Sequence, residues 1–304
     1  MFDHFIDENG LAQNSIMNVL QDLDGFLWIG TPNGLYKYDG NQYKVYRHQT
    51  NDSLSISNNS IYELELDIHG NILIGTGSGL CKFDRLKETF STFPGDLEDG
   101  RISAIYPEKD GGLWVGTLHS GLYHFKADDS YGNDPEHYTH QLSKSTSIDS
   151  DKVQSITKDH EGNLWVGTFT GLNKMYETKS GNGFLQIKEV NEEIKSLFVD
   201  ERGELWIGLR GARLFRIMDP ANFKTGNSKG IKKYAFNNDV GNDISEISGL
   251  IAINKALGDN LWLGIHGYGL CWFNPETEEF KLYIPNELNP ESISSNNVET
   301  ILVD

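Results

Sequence analysis

The chain of 304 residues carries 44 acidic against 26 basic side chains, a formal net charge of −18 and a pI near 4.8. That balance argues against a nucleic-acid binder or a protein adsorbed on an anionic membrane, since both need a basic footprint. No apolar run is long enough for a membrane helix, and 32 glycines with 11% aromatics point to an all-β chain.

In chain order, Phe2-Asp3-His4-Phe5-Ile6 reads as an outermost strand, followed by a linker from Asn9 to Ile16. Met1 to Phe5 is too short and polar for a secretion signal, so either one was removed or the domain is cytoplasmic. The first full unit then shows the plan. Ile16–Asp22 is a first strand, Leu23-Asp24-Gly25 an Asp-Gly hairpin turn, and Phe26–Thr31 a second strand. Pro32-Asn33-Gly34 turns the chain into a third strand, Leu35–Tyr38, and Gln42–Tyr46 is the outermost. Gly34 is expected to supply positive φ, Gly30 to sit against a neighbouring backbone, and Trp28 to fill the space between adjacent sheets.

The stretch Gly25-Phe26-Leu27-Trp28-Ile29-Gly30-Thr31 returns five times. Trp28, Leu73 (in place of Trp), Trp114, Trp165, Trp206 and Trp262 mark the copies, spaced by 45, 41, 51, 41 and 56 residues. A repeat of this length made of short strands is the signature of β-propeller blades. The blades are expected at 15–48, 59–94, 101–142, 152–190, 192–236 and 243–284. Linkers repeat too: Ser55-Ile56-Ser57, Ser147-Ile148-Asp149 and Ser292-Ile293-Ser294 open equivalent crossings whose side chains can bond their own backbone. Cys81 and Cys271 fall in the same slot of two third strands and read as buried free thiols.

The last stretch, Asn297–Asp304, looks like the inner strand of a further unit. The expectation is therefore an all-β propeller of the seven-bladed type, a single domain over 1–304 with four-stranded antiparallel blades. It would be incomplete here: six full blades plus the outer strand 1–6 and inner strand 297–304 of a seventh. The chain is accordingly read as cut from a longer protein.

The units Asp24–Thr31 and Asn33–Asp39, with the linker Leu54–Ile61, closely resemble the two-component regulator propeller repeat. The resemblance runs over essentially the whole chain. It implies a sensor part of a bacterial hybrid two-component histidine kinase, held in the periplasm, acting as a dimer of full-length sensors and anchored by segments outside this chain. The resemblance is specific for the repeat type and not for the ligand; the ligand class expected is an oligosaccharide or its breakdown product, and similar arrays also precede diguanylate cyclases. Departures are Leu73 for Trp, Leu209 at the place of Thr31 or Thr76, and long inserts in the third and fifth units.

Chemistry is sparse. Asp22-Leu23-Asp24-Gly25 lacks the ligand pattern of a calcium loop and reads as a hairpin turn. The nine histidines show no zinc spacing, and no nucleophile elbow or phosphate loop occurs, so no metal, cofactor or catalytic residue is expected. His119, Arg210 and His266 fall in the turn between second and third strands of their units, with Tyr268 beside His266. They are the candidate ligand-binding residues, against the alternative that they are solvated rim residues. Because strands alternate in direction, these turns and the linkers leave at the same end of every blade. Two rival functions stay open: an enzyme of lyase or hydrolase type using His and Glu, and a scaffold that binds only protein.

Overall fold

The computed structural model describes residue 2 and residues 15–93, 97, 100–127, 134–178, 181–226, 228–234 and 249–303. It divides into two compact units: an N-terminal one of residues 7–143, 150–156 and 304, and a C-terminal one of residues 1–6, 144–149 and 157–303.

The N-terminal unit holds three antiparallel sheets whose strands pair in chain order. They are β1 (Asn18–Gln21), β2 (Leu27–Thr31), β3 (Gly34–Tyr38) and β4 (Tyr43–Tyr46); β5 (Ile61–Leu66), β6 (Ile72–Thr76), β7 (Gly79–Asp84) and β8 (Thr89–Thr92); and β9 (Ile102–Pro107), β10 (Leu113–Thr117), β11 (Leu122–Phe125) and β12 (Glu136–Tyr138). The fourth sheet is β13 (Val153–Lys158), β14 (Leu164–Thr168), β15 (Leu172–Thr178) and β16 (Gly181–Ile187), with β13 beginning in the N-terminal unit. The C-terminal unit completes that sheet and adds two more. These are β17 (Ile194–Val199), β18 (Leu205–Leu209), β19 (Arg213–Ile217) and β20 (Ile231–Tyr234), then β21 (Gly249–Lys255), β22 (Leu261–His266), β23 (Gly269–Asn274) and β24 (Glu279–Tyr283).

Each second strand is the apolar core of its blade. Trp28, Trp165 and Trp206 are fully buried, as are Ile72, Leu73 and Ile74. Trp28 stacks on Tyr46 of its own sheet and packs 5.0 Å from Phe83 of the next, in one cluster with Ile61 and Ile72. Trp206 reaches Phe273 of the following sheet in the same way. Trp28, Trp165 and Trp206 are thus filler between adjacent blades, each contributing roughly 4–6 kcal/mol of gross burial free energy.

The acidic turns are hairpin turns with a second task. Asp22 Oδ1 accepts the backbone N–H groups of Asp24 and Phe26, and its Oδ2 accepts the Trp28 indole N–H at 2.8 Å. Asp159 does the same for Trp165 and Asp200 for Trp206. Where Leu73 replaces Trp, Asp67 turns its Oδ2 to the Asn71 amide instead. In the third blade Glu108 stands at this place, bonds His124 at 2.8 Å, and leaves the Trp114 indole N–H without a partner. Opposite four of the repeat tryptophans, Trp28, Trp114, Trp165 and Trp206, the third strand carries a cation or His: Lys37, His124, Lys174 and Arg216; opposite Trp262 it carries Trp272. Lys174 and Arg216 lie 5.0 Å from the ring they cover, and the His124 ring stacks on Trp114 at 4.0 Å.

Gly34 has the positive φ expected of it, +131°. Gly30 is tight for a different reason from the one expected: a Cβ there would stand 2.8 Å from the Ile61 side chain of the next inner strand. The linker residues do bond their own backbone, as Ser55 Oγ with the Gln49 N–H at 3.0 Å and Ser292 Oγ with the Asn286 N–H at 2.9 Å. Cys81 and Cys271 are buried free thiols.

The seven-bladed expectation is corrected. The described residues form six complete four-stranded sheets, and residues 284–303 contain no strand. The outer strand expected at 1–6 lies outside the described residues except for Phe2, which is not in a strand. Residues 296–301 do run beside the sixth sheet, where Gly269 N–H bonds Asn296 O at 2.7 Å and the Asn254 amide bonds Ile301 O at 2.9 Å. Side-chain and single backbone bonds of this kind do not make a ladder, which requires a partner strand exchanging N–H and C=O groups along its length.

Candidate functional site

Four inner strands share a β-bulge near the end where the linkers enter. The ladders skip one residue between Ile61 and Glu63, Ile102 and Ala104, Ile194 and Ser196, and Leu250 and Ala252. A bulge re-aims the extra side chain, here Tyr62, Ser103, Lys195 and Ile251.

In the fifth blade the bulge delivers Lys195 to Glu193. The Glu193 carboxylate, 8% exposed, takes Lys195 Nζ at 2.6 Å and lies 3.5 Å from an Arg210 guanidinium nitrogen. Arg210 is in the β18–β19 turn, where Leu209 removes the Thr hydroxyl that closes this turn in the first four blades, as Thr31 Oγ1 does on Gly34 O at 2.8 Å. The fifth-blade turn keeps the backbone bond that the second and third blades also make, here Arg210 N–H on Glu193 O, and the Arg210 side chain stays 62% exposed.

The sixth blade brings His266 to the same place. Gly249, with φ +140°, is the cross-strand partner of His266, and a Cβ on it would stand 2.7 Å from Lys195 Cγ and 3.2 Å from Arg210 Cα. Lys195, Arg210 and His266 therefore surround one glycine. His266 Nε2 lies 3.4 Å from Glu299 Oε1, and Gly267 N–H bonds the Asn297 side chain, tying this turn to the chain beyond. Tyr268, in the same turn, is partly buried against the cluster that includes Leu263 and Cys271.

His119 is placed in the N-terminal unit, exposed in the β10–β11 turn. The neighbouring Leu118 N–H bonds Arg101 O at 3.0 Å, and the Arg101 guanidinium lies over the Tyr62 ring at 3.7 Å. Three of the four sequence candidates thus share a neighbourhood, and His119 belongs to a separate one. Lys195, Glu193 and Glu299 were not found from sequence. The available signal is the polar residue directly after the Ile that opens an inner strand, as in Ile194-Lys195.

The C-terminal neighbourhood presents a guanidinium, an ammonium, an imidazole and carboxylates, able to bind hydroxyl or anionic groups. Among the described residues no group of three or more His, Cys, Asp or Glu could hold a metal ion. A separate cleft of about 570 Å³ is lined by Phe2, Tyr283, Asn286, Asn289, Glu291 and Ser292. Its Asn286, Asn289 and Ser292 side chains are engaged in the turns of their own loop.

Six antiparallel four-stranded sheets, with the tryptophan repeat in the second strand of all but one, define an all-β propeller fold. Residues 96–119 and 147–170 match the family described as two component regulator propeller, which bears out the resemblance over those two stretches. Over 57 residues the chain is 46% identical to histidine kinase P4 of Formosa agariphila, a stretch covering 19% of this chain and 4% of that protein. The extracellular domain of the putative hybrid two component system BT3049 of B. thetaiotaomicron is similar along 98% of this chain, with TM-score 0.72 and 22% identity. That of BT4673 from the same organism is similar along 97%, with TM-score 0.73 and 18% identity. The chain spans 38% and 39% of those two structures. Virginiamycin B lyase from Staphylococcus aureus shares the fold at TM-score 0.59 and 16% identity, over 84% of this chain and 79% of its own. Fold alone therefore does not separate a sensor from a lyase.

Proposed function

We propose that this chain is a ligand-sensing module from the extracytoplasmic part of a bacterial hybrid two-component histidine kinase. The ligand is an oligosaccharide, bound by Arg210, His266 and Tyr268 together with Lys195, and His119 marks a second polar place in the N-terminal unit. The observation that carries the reading is the exposed Arg210 guanidinium set beside Gly249 and His266, in a chain two stretches of which match the regulator propeller family. Binding would act by favouring one packing of two sensor chains over another, because a ligand shifts an equilibrium only through differential affinity. On this reading the chain works in the periplasm, as part of a homodimer of the longer sensor.

A lyase-type enzyme is the second reading, and the 3.4 Å pairing of His266 with Glu299 favours it. A thermal-shift screen of the protein against dietary and host glycans distinguishes the two. Under the sensor reading one glycan raises the melting temperature, by about 2.7 kcal/mol of stability at a hundredfold excess over Kd, and is recovered unchanged. Recovery of a cleaved or eliminated product would make the chain an enzyme, and no shift with any glycan would refute the oligosaccharide ligand.

A further inference from the structure

Six of the seven arginines pair their guanidinium with a described residue: Arg47 with the Asn33 carbonyl, Arg85 with Asp24, Arg202 and Arg216 with Glu204, Arg210 with Glu193 and Arg213 with Glu192. Arg101 stands apart. Among the described residues its guanidinium has no hydrogen-bond or ion-pair partner, in a chain of net charge −18. Glu63, on the strand that carries Tyr62, turns to the Asn18 amide at 2.8 Å instead. Nor does the repeat ask for a cation here. The residue before the aliphatic that opens the inner strand is Ser60 in the second blade, Arg101 in the third, Lys152 in the fourth, Glu193 in the fifth and Gly249 in the sixth.

The unpaired group is nonetheless held in one place. The β5 bulge re-aims Tyr62, and the Arg101 guanidinium lies over that ring at 3.7 Å. Arg101 O accepts the Leu118 N–H at 3.0 Å, which fixes the backbone beside the turn that carries the exposed His119. Arg101 Nε is buried without an acceptor, whereas the terminal nitrogens reach solvent and are equally unpaired. A donor buried without an acceptor is destabilising, so folding of the unit does not by itself account for the residue. What the arrangement offers is a fork of N–H donors that matches the two oxygens of a carboxylate. A fork already stacked on a ring gives up little freedom when it is used.

We propose that Arg101, set on Tyr62, is a subsite for the carboxylate of an acidic oligosaccharide. The proposal rests on the oligosaccharide reading above and narrows it to glycans that contain a uronic acid. The carboxylate oxygens of the sugar accept the terminal N–H groups of Arg101 side by side, and the turn carrying His119 borders the subsite. A neutral sugar gains no charge-assisted bond at this place, so the subsite selects acid over ester.

The test is calorimetric titration of the protein with short oligosaccharides of galacturonic, glucuronic and mannuronic acid, each beside its neutral methyl ester. At least one acid should bind about tenfold more tightly than its ester. Arg101→Gln should remove that preference, and Arg101→Lys, which keeps the charge but not the fork, should restore only part of it. In the unmutated protein the NMR signal of Arg101 Nε–H should move with the acid and stay in place with the ester, a readout that does not depend on how the variants fold. An acid preference that survives in folded Arg101→Gln, or an Nε–H signal that ignores a bound acid, would overturn the proposal. Equal binding of acid and ester would overturn it while leaving the oligosaccharide reading intact. Binding of none of the acids would overturn it too, and the wider screen with neutral glycans then decides the oligosaccharide reading separately.

Discussion

Asp159 is the residue whose removal should best expose how a blade is latched. Its carboxylate accepts the backbone N–H groups of Glu161 at 3.2 Å and Asn163 at 2.9 Å, the Asn163 amide, and the Trp165 indole N–H at 3.0 Å. Trp165 has no exposed surface, so in Asp159→Ala its N–H meets neither protein nor water. A buried donor left unpaired costs about 1–3 kcal/mol. The two turn N–H groups recover water in part and add about 1 kcal/mol, giving roughly 2–4 kcal/mol in all. Asp159→Asn keeps one acceptor for the turn but sets an amide against the indole, and should cost about 1–2 kcal/mol. Denaturant midpoints followed by circular dichroism measure both. A cycle with Trp165→Leu, the side chain that the second blade uses, should return about 1–2 kcal/mol of coupling. A loss of only about 1 kcal/mol in Asp159→Ala with no coupling would show that the carboxylate serves only the turn, and a loss below about 0.5 kcal/mol would refute both roles.

Other outcomes follow from the same geometry. Gly208→Ala would bring a methyl group to 2.5 Å from Leu250 O and onto Ser196 Oγ, and should lose about 3 kcal/mol or more in unfolding experiments. Gly162→Ala, with φ +83° but nothing within 4 Å, should lose only about 1–2 kcal/mol. Lys174→Met should lower the unfolding free energy by about 1–3 kcal/mol in denaturant titrations, since Lys174 Nζ serves the Pro220 and Ala221 carbonyls at 2.7 and 2.8 Å. Burial pushes the Cys271 thiol up to about 12, so it should resist thiol reagents in the folded protein and react once unfolded, as a timed labelling experiment would report.

The strands of each blade were legible because the repeat supplies the same apolar core, turn glycine and Asp-Gly hairpin several times over. Asp22 was legible as a turn residue but not as the partner of Trp28, because a six-residue separation across a hairpin looks like nothing in sequence. The bulges were hidden for a related reason: one extra residue in a strand leaves composition and alternation almost unchanged. Lys195 and Glu193 were hidden with them, whereas Arg210 and His266 stand out in sequence because they lie in turns. The seventh-blade strands were over-read. Asn297–Asp304 resembles an inner strand, but the described structure offers it no second strand, and pattern without a partner gives an extended segment beside β22 rather than a ladder.

The most direct test of the sensing account is a calorimetric titration of the best glycan from the screen into the protein and into its Arg210→Gln and His266→Gln variants. The account predicts one site per chain and at least about a tenfold loss of affinity, near 1.4 kcal/mol, in each variant, with the melting temperature of the free protein unchanged. Affinity that is the same in all three proteins would place the ligand elsewhere and contradict the assignment of this rim as the sensing site.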